Sequence, residues 1–190
     1  LRFSGDAPPT IKSLDTEGRV IMLGSFSKIL APGLRLGWAV ASPSKIRDLG
    51  LLKLAADTQC STLNMAATSL FLERHDIDLH IEMLRGVYAR KKNLMLDTLR
   101  QQFPQDVKAT DPDGGLFPWF TFPEGFDTEA FMRSHALPLA KVAYVPGASF
   151  FPGTQETHHA RFNYSGQSDA RIVEGMTALA TLLKQELRMS

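Results

Sequence analysis

The stretch Gly24-Ser25-Phe26-Ser27-Lys28-Ile29-Leu30-Ala31-Pro32-Gly33-Leu34-Arg35-Leu36-Gly37 decides how this chain reads. On its N-terminal side Val20-Ile21-Met22-Leu23 is a short continuous apolar run, the pattern of a buried strand. On the other side Leu36-Gly37-Trp38-Ala39-Val40-Ala41 predicts a second buried strand. Two hydroxyls, a lysine and an arginine therefore sit on a loop held between two strands, a rigid mounting for a site. Serine hydroxyls and backbone N–H groups can cradle a phosphate. Arg35 adds a planar, permanently charged fork suited to phosphate oxygens. A lysine beside another cation is a nucleophile toward aldehydes when its pKa is lowered. Taken one at a time, these residues also suit an ordinary surface loop.

Working outward, Ser42-Pro43 has the form of a helix start, with Ile46, Leu49, Leu52 and Ala56 at helical spacing behind it. Further helices are expected over Met65–Arg74 and from about Asp78 to Phe103, the last ended by Pro104. Beyond it, short strands are expected at Val107–Thr110, Leu116–Phe122, Val142–Val145 and Ala160–Tyr164. Helices are expected over Asp127–His135 and Asp169–Leu187, with Asp127 or Thr128 capping the first and Ser168 or Asp169 the second. The fold class is α/β, with a change of character inside the long helix. Residues 1–88 form the end of a large α/β domain, and residues 89–190 a small α+β domain.

The 190 residues carry a net charge of +1, which excludes a strongly basic nucleic-acid-binding or membrane-surface protein. The composition, 44% hydrophobic and 22% charged, is that of a globular protein able to bury a core. One cysteine, Cys60, rules out a disulfide framework or a multi-cysteine zinc site and agrees with a cytoplasmic setting. No apolar run approaches a membrane span. The chain starts at Leu1 with no helix-start signature, as expected for the C-terminal part of a longer protein.

In Ala160-Arg161-Phe162-Asn163-Tyr164-Ser165 the residue types alternate, so Arg161, Asn163 and Ser165 share one face of a strand. On pattern alone this is an edge strand with a wet face. His158 and His159 are adjacent in a polar loop and could bind a metal, but no further ligand stands out and no metal is expected.

The quoted loop resembles the Ser-x-Ser-Lys-x-x-x-Pro-Gly-x-Arg-x-Gly signature of class I/II aminotransferases, enzymes of fold type I that use pyridoxal 5′-phosphate (PLP); each fixed position is present. Arg161-Phe162-Asn163 resembles the strand whose arginine pairs with the substrate α-carboxylate in that family. Val145-Pro146-Gly147 and Pro112-Asp113-Gly114-Gly115-Leu116-Phe117-Pro118-Trp119 resemble two further segments, though Pro118 replaces an aliphatic residue and predicts an edge strand or a bulge. The resemblance runs from Arg2 to about Leu187 and points to the 2-aminoadipate and kynurenine aminotransferase subgroup. It implies that Lys28 carries PLP as a Schiff base, that Ser25, Ser27 and Arg35 bind the cofactor phosphate, and that Arg161 binds the substrate carboxylate. It further implies an amino acid donor, a 2-oxo acid acceptor such as 2-oxoglutarate, and a homodimer. The family's pyridinium-pairing aspartate and its tyrosine near the cofactor O3′ fall upstream of Leu1, so this stretch alone is expected to be inactive. Two alternatives stay open: the PLP-binding effector domain of a MocR-type transcription regulator, and a fold type I lyase or decarboxylase.

Overall fold

The computed structural model describes residues 1–153 and 156–189. Contacts divide the chain into two units, Leu1 with Gly5–Leu84 and Arg2–Ser4 with Arg85–Ser190.

In the first unit, β1 (Met22–Ser25) and β2 (Gly37–Val40) form a two-stranded antiparallel ladder. Helices α1 (Pro43–Ala56) and α2 (Thr62–Arg74) follow, and then the first part of α3 (Ile77–Gln102). Upstream of the ladder, Asp15 gathers Lys12 Nζ at 2.7 Å and the backbone N–H groups of Arg19 and Val20 at 3.0 and 3.1 Å. The lysine bond and these N–H donors hold its carboxyl well below the usual carboxylate range.

Two expectations are corrected here. The strands were expected to be buried, yet Leu23 is 75% exposed and Trp38 and Val40 about 40%. Within this unit β1 and β2 have only each other as ladder partners, and all four residues of β2 are exposed. The apolar stripe of α1 is likewise exposed: Ile46, Leu49 and Leu52 all lie at the surface, and α1 buries nothing. Ser42 stands at the N-cap of α1, but its hydroxyl faces Ser44 Oγ at 3.3 Å and caps no backbone group.

In the second unit the core is dense. Four strands run antiparallel in the order β3 (Lys108–Ala109), β4 (Trp119–Thr121), β6 (His159–Arg161), β5 (Val145–Pro146). Helix α4 (Thr128–Phe131) continues as a π-helical stretch, Met132–Ala140, and α5 (Asp169–Met189) closes the chain. Asp127 caps α4 by accepting the N–H groups of Glu129 and Ala130 at 3.0 and 2.9 Å. Helix α5 buries Ile172, Met176, Leu179, Ala180 and Leu183, a stripe of period near 3.6 that faces the sheet. Met95, Leu96 and Leu99 of α3 join it, and Phe120 and Phe162 meet at 4.1 Å between ring centroids. Each such side chain stabilises the fold by about 1.5–3 kcal/mol on full burial. Of the edge strand or bulge expected at Pro118, the edge is not found. Pro118 precedes β4, a central strand, where no ladder N–H is required, and its carbonyl accepts the N–H of Phe162 at 3.1 Å.

Thr128 is fully buried, with its hydroxyl 2.8 and 2.7 Å from the carbonyls of Thr157 and His159. Thr128→Val removes that donor and is expected to cost about 1–3 kcal/mol, read as a lower urea midpoint. Asp111 is a second probe. Its bond to Lys92, supported by Arg100, lowers its pKa, so its contribution is present above the unfolded-state value of 3.8 and fades as the pH falls toward the lowered folded value. Asp111→Asn is therefore expected to flatten the acid limb of the stability–pH curve and to leave stability on that limb less pH-dependent than in the parent.

Candidate active-site residues and family

The ladder register sets the geometry of the quoted loop. Ser25 pairs with Gly37, and Gly24 with Trp38, so residues 26–36 leave and rejoin one rung. The N–H of Phe26 bonds the carbonyl of Leu36 at 3.1 Å, and the carbonyl of Phe26 accepts the N–H groups of Leu30 and Ala31 at 2.9 and 3.1 Å, which closes a turn around Lys28. The backbone N–H of Ser27 donates to Ser25 Oγ at 3.1 Å. A short helical turn at Pro32–Leu34 leads to Arg35, whose backbone is left-handed at φ 53° and ψ 39°. A non-glycine residue in that region is strained by roughly 1–2 kcal/mol. Asn64 of α2 donates to the carbonyl of Leu34 at 3.0 Å and steadies the turn.

Ser25, Lys28 and Arg35 are exposed and Ser27 half-buried. Among the described residues neither Lys28 nor Arg35 has a carboxylate partner; Arg35 Nη1 reaches only the carbonyl of Pro32, at 3.4 Å. An amine, a guanidinium and two hydroxyls on one short loop, with no protein anion to neutralise them, are a donor set that fits a phosphorylated aldehyde.

Arg161 lies on β6 of the second unit, in register with Trp119 on one side and Val145 on the other. Ala160, Phe162 and Tyr164 point into the core, so Arg161 points to the opposite face. That strand is central rather than an edge. The guanidinium carbon sits 4.4 Å from the ring centroid of Phe117 and 4.8 Å from that of Phe150. Its Nε is buried and has no hydrogen-bond partner, and no acid pairs with Arg161 among the described residues. Two aromatic walls thus hold a planar cation with its donors uncommitted, which suits a carboxylate. The phenol of Tyr164 donates to the carbonyl of Gly115 at 2.8 Å, bracing the segment before Phe117, and burial pushes its pKa up to about 12.

Ser25, Ser27, Lys28 and Arg35 are thus brought together on one loop, while Arg161 belongs to the other unit. A separate concavity of the second unit, lined by Met95, Val142, Asn163 and Arg171, holds none of the five. The sequence marks the aromatics around Phe150 as core or pocket wall, but their contact with Arg161, and that of Phe117, escaped it because the residues come from a loop and a turn away from residue 161.

One unit carries the lysine loop, and the other presents an arginine with no acid partner among the described residues. The family described as aminotransferase class I and II matches residues 2–179, and the chain belongs to that family, whose enzymes use PLP. The chain is 40% identical over 189 residues to aromatic-amino-acid aminotransferase 1 of Thermococcus litoralis, covering 99% of this chain and 45% of that protein. The kynurenine aminotransferase of Pyrococcus horikoshii, solved in complex with PMP, superposes with a TM-score of 0.90 at 37% identity, over 98% of this chain and 46% of that one. LysN, the α-aminoadipate aminotransferase of Thermus thermophilus solved with N-(5′-phosphopyridoxyl)-L-leucine, gives 0.92 at 36% identity, over 100% and 49%. The chain therefore spans about half the length of these relatives.

A Cβ on Gly37 would lie 2.6 Å from the carbonyl oxygen of Gly24, a backbone atom with nowhere to go. Gly37→Ala is expected to pry the ladder apart and lower stability by about 1–3 kcal/mol, seen as a fall in Tm.

Proposed function

We propose that the whole protein is a PLP-dependent aminotransferase, moving an amino group from an amino acid to a 2-oxo acid, with 2-oxoglutarate as the acceptor. The observation that carries this is the loop itself: the rung between Ser25 and Gly37 closes the turn that carries Ser27, Lys28 and Arg35, and among the described residues neither cation is paired with a carboxylate. In this reading Ser25, Ser27 and Arg35 hold the cofactor phosphate and Lys28 holds its aldehyde carbon. When bound, PLP supplies the electron sink that makes the substrate Cα–H acidic. The Lys28 amine takes the proton from Cα and returns one at the cofactor C4′, as general base and then acid. Arg161 binds the substrate α-carboxylate and so fixes which bond at Cα faces the lysine. The relatives' names, aromatic-amino-acid, kynurenine and α-aminoadipate aminotransferase, suggest donors with a large side chain.

By the same reading residues 1–88 complete the cofactor-binding domain, residues 89–190 are the small domain, and the active protein is a cytoplasmic homodimer. The segment alone turns over little, because it spans about half of its relatives.

The test is an amino-transfer assay on the full-length protein with aromatic amino acids or 2-aminoadipate and 2-oxoglutarate. Lys28→Ala is expected to lower kcat by at least about 10²–10⁴-fold. Arg161→Ala is expected to weaken kcat/KM by about 10–100-fold, the worth of a charge-assisted pair, with partial rescue by Arg161→Lys. Transfer that persists in Lys28→Ala would overturn the proposal.

A further inference from the structure

The segment before Arg161 carries a cluster that amino-group transfer does not use. Glu156, His158 and His159 place one potential ligand atom each within 4.8 Å of one another. We propose that these three side chains bind one divalent transition-metal ion, with water completing the shell. Two imidazole nitrogens and a carboxylate oxygen are a donor set of the zinc type, favouring Zn²⁺, Ni²⁺ or Cu²⁺ over Mg²⁺ or Ca²⁺.

The geometry supports this on three counts. First, Glu156 Oε2 and His159 Nε2 are 3.1 Å apart. Ligand atoms on a tetrahedral zinc, each about 2.0–2.1 Å from the metal, stand roughly 3.3 Å apart. Second, the remaining ring nitrogen of His159, Nδ1, bonds Thr121 Oγ1 at 3.2 Å, the outer contact that orients a metal-binding imidazole. Third, the backbone is already fixed. The carbonyls of Thr157 and His159 lie at 2.8 and 2.7 Å from the Thr128 hydroxyl, and that of His158 accepts the N–H of Phe122 at 2.8 Å. Gly147 packs so tightly on His159 that an added Cβ would lie 2.5 Å from the histidine Cβ. Trp119 and Phe151 stack on the His159 ring, at 5.6 and 5.4 Å between centroids.

A simple Glu156–His159 ion pair explains two of the three residues. It leaves His158 unexplained, whose ring centroid is 4.1 Å from that of His159 and whose nitrogen lies inside the same cluster. The Glu156 side chain is 45% exposed and His158 is half-buried, so both have room to turn toward an ion. His159 and Arg161 occupy the same face of β6, so their Cα atoms are roughly 6.6 Å apart along the strand. An ion held there adds positive charge beside the arginine proposed to bind the substrate carboxylate. The metal site does not depend on that role.

The experiment is equilibrium dialysis of the tag-free full-length protein against Zn²⁺ in phosphate-free buffer, with bound metal read by atomic absorption. One equivalent per chain is expected, weakened at least tenfold in His158→Ala and in Glu156→Gln and unaltered in Lys28→Ala. Glu156 is exposed, so its variant tests the site even where His158→Ala disturbs folding, which circular dichroism would reveal. No Zn²⁺ retained by the parent protein, or equal affinity in parent and both cluster variants, would overturn the proposal. So would loss of binding in Lys28→Ala, which would place the ion at the cofactor loop.

Discussion

The lysine loop hangs on one short antiparallel ladder, from Met22↔Val40 to Ser25↔Gly37. The ladder works because both sides of its last rungs are narrow. Gly37 lets the strands close over the carbonyl of Gly24, and Gly24 leaves room for the Trp38 indole, which a Cβ would meet at 2.1 Å. With the rung shut, residues 26–36 turn back within one loop and present Ser25, Ser27, Lys28 and Arg35 together. The left-handed backbone at Arg35 is local strain, held against relaxation by the ladder on one side and the Asn64 bond to Leu34 on the other.

The second unit meets a different demand with the same economy. Period-two alternation along β6 commits Ala160, Phe162 and Tyr164 to the core, and the ladder thereby turns His159 and Arg161 outward. One constraint stabilises the unit and aims its polar groups. Phe117 and Phe150 keep the Arg161 guanidinium flat and partly dry, which strengthens its attraction for a carboxylate.

The sequence showed most clearly what is local. The lysine loop is a run of neighbours, so its donors could be read without knowing their partners. Helices α3 and α5 announce themselves through a 3.6-residue apolar period over 26 and 21 residues, and each lies close to its expected span. Strands were less legible. Ladder partners, not the apolar run, set their ends, so the stretch expected at 116–122 forms a ladder only over Trp119–Thr121. Burial of β1, β2 and α1 was misread because an apolar pattern says that a face can be covered, not that something covers it. The aromatic clamp on Arg161 and the Glu156–His159–Thr121 chain join residues from different strands and turns, and no spacing in the sequence signals them.

Lys28 is the residue proposed to hold the cofactor. Borohydride reduction of the full-length protein in the presence of PLP, followed by peptide mass mapping, tests that proposal most directly. A phosphopyridoxyl group on Lys28 alone is the expected result. Label on another lysine, or none on the Lys28 peptide, would contradict it.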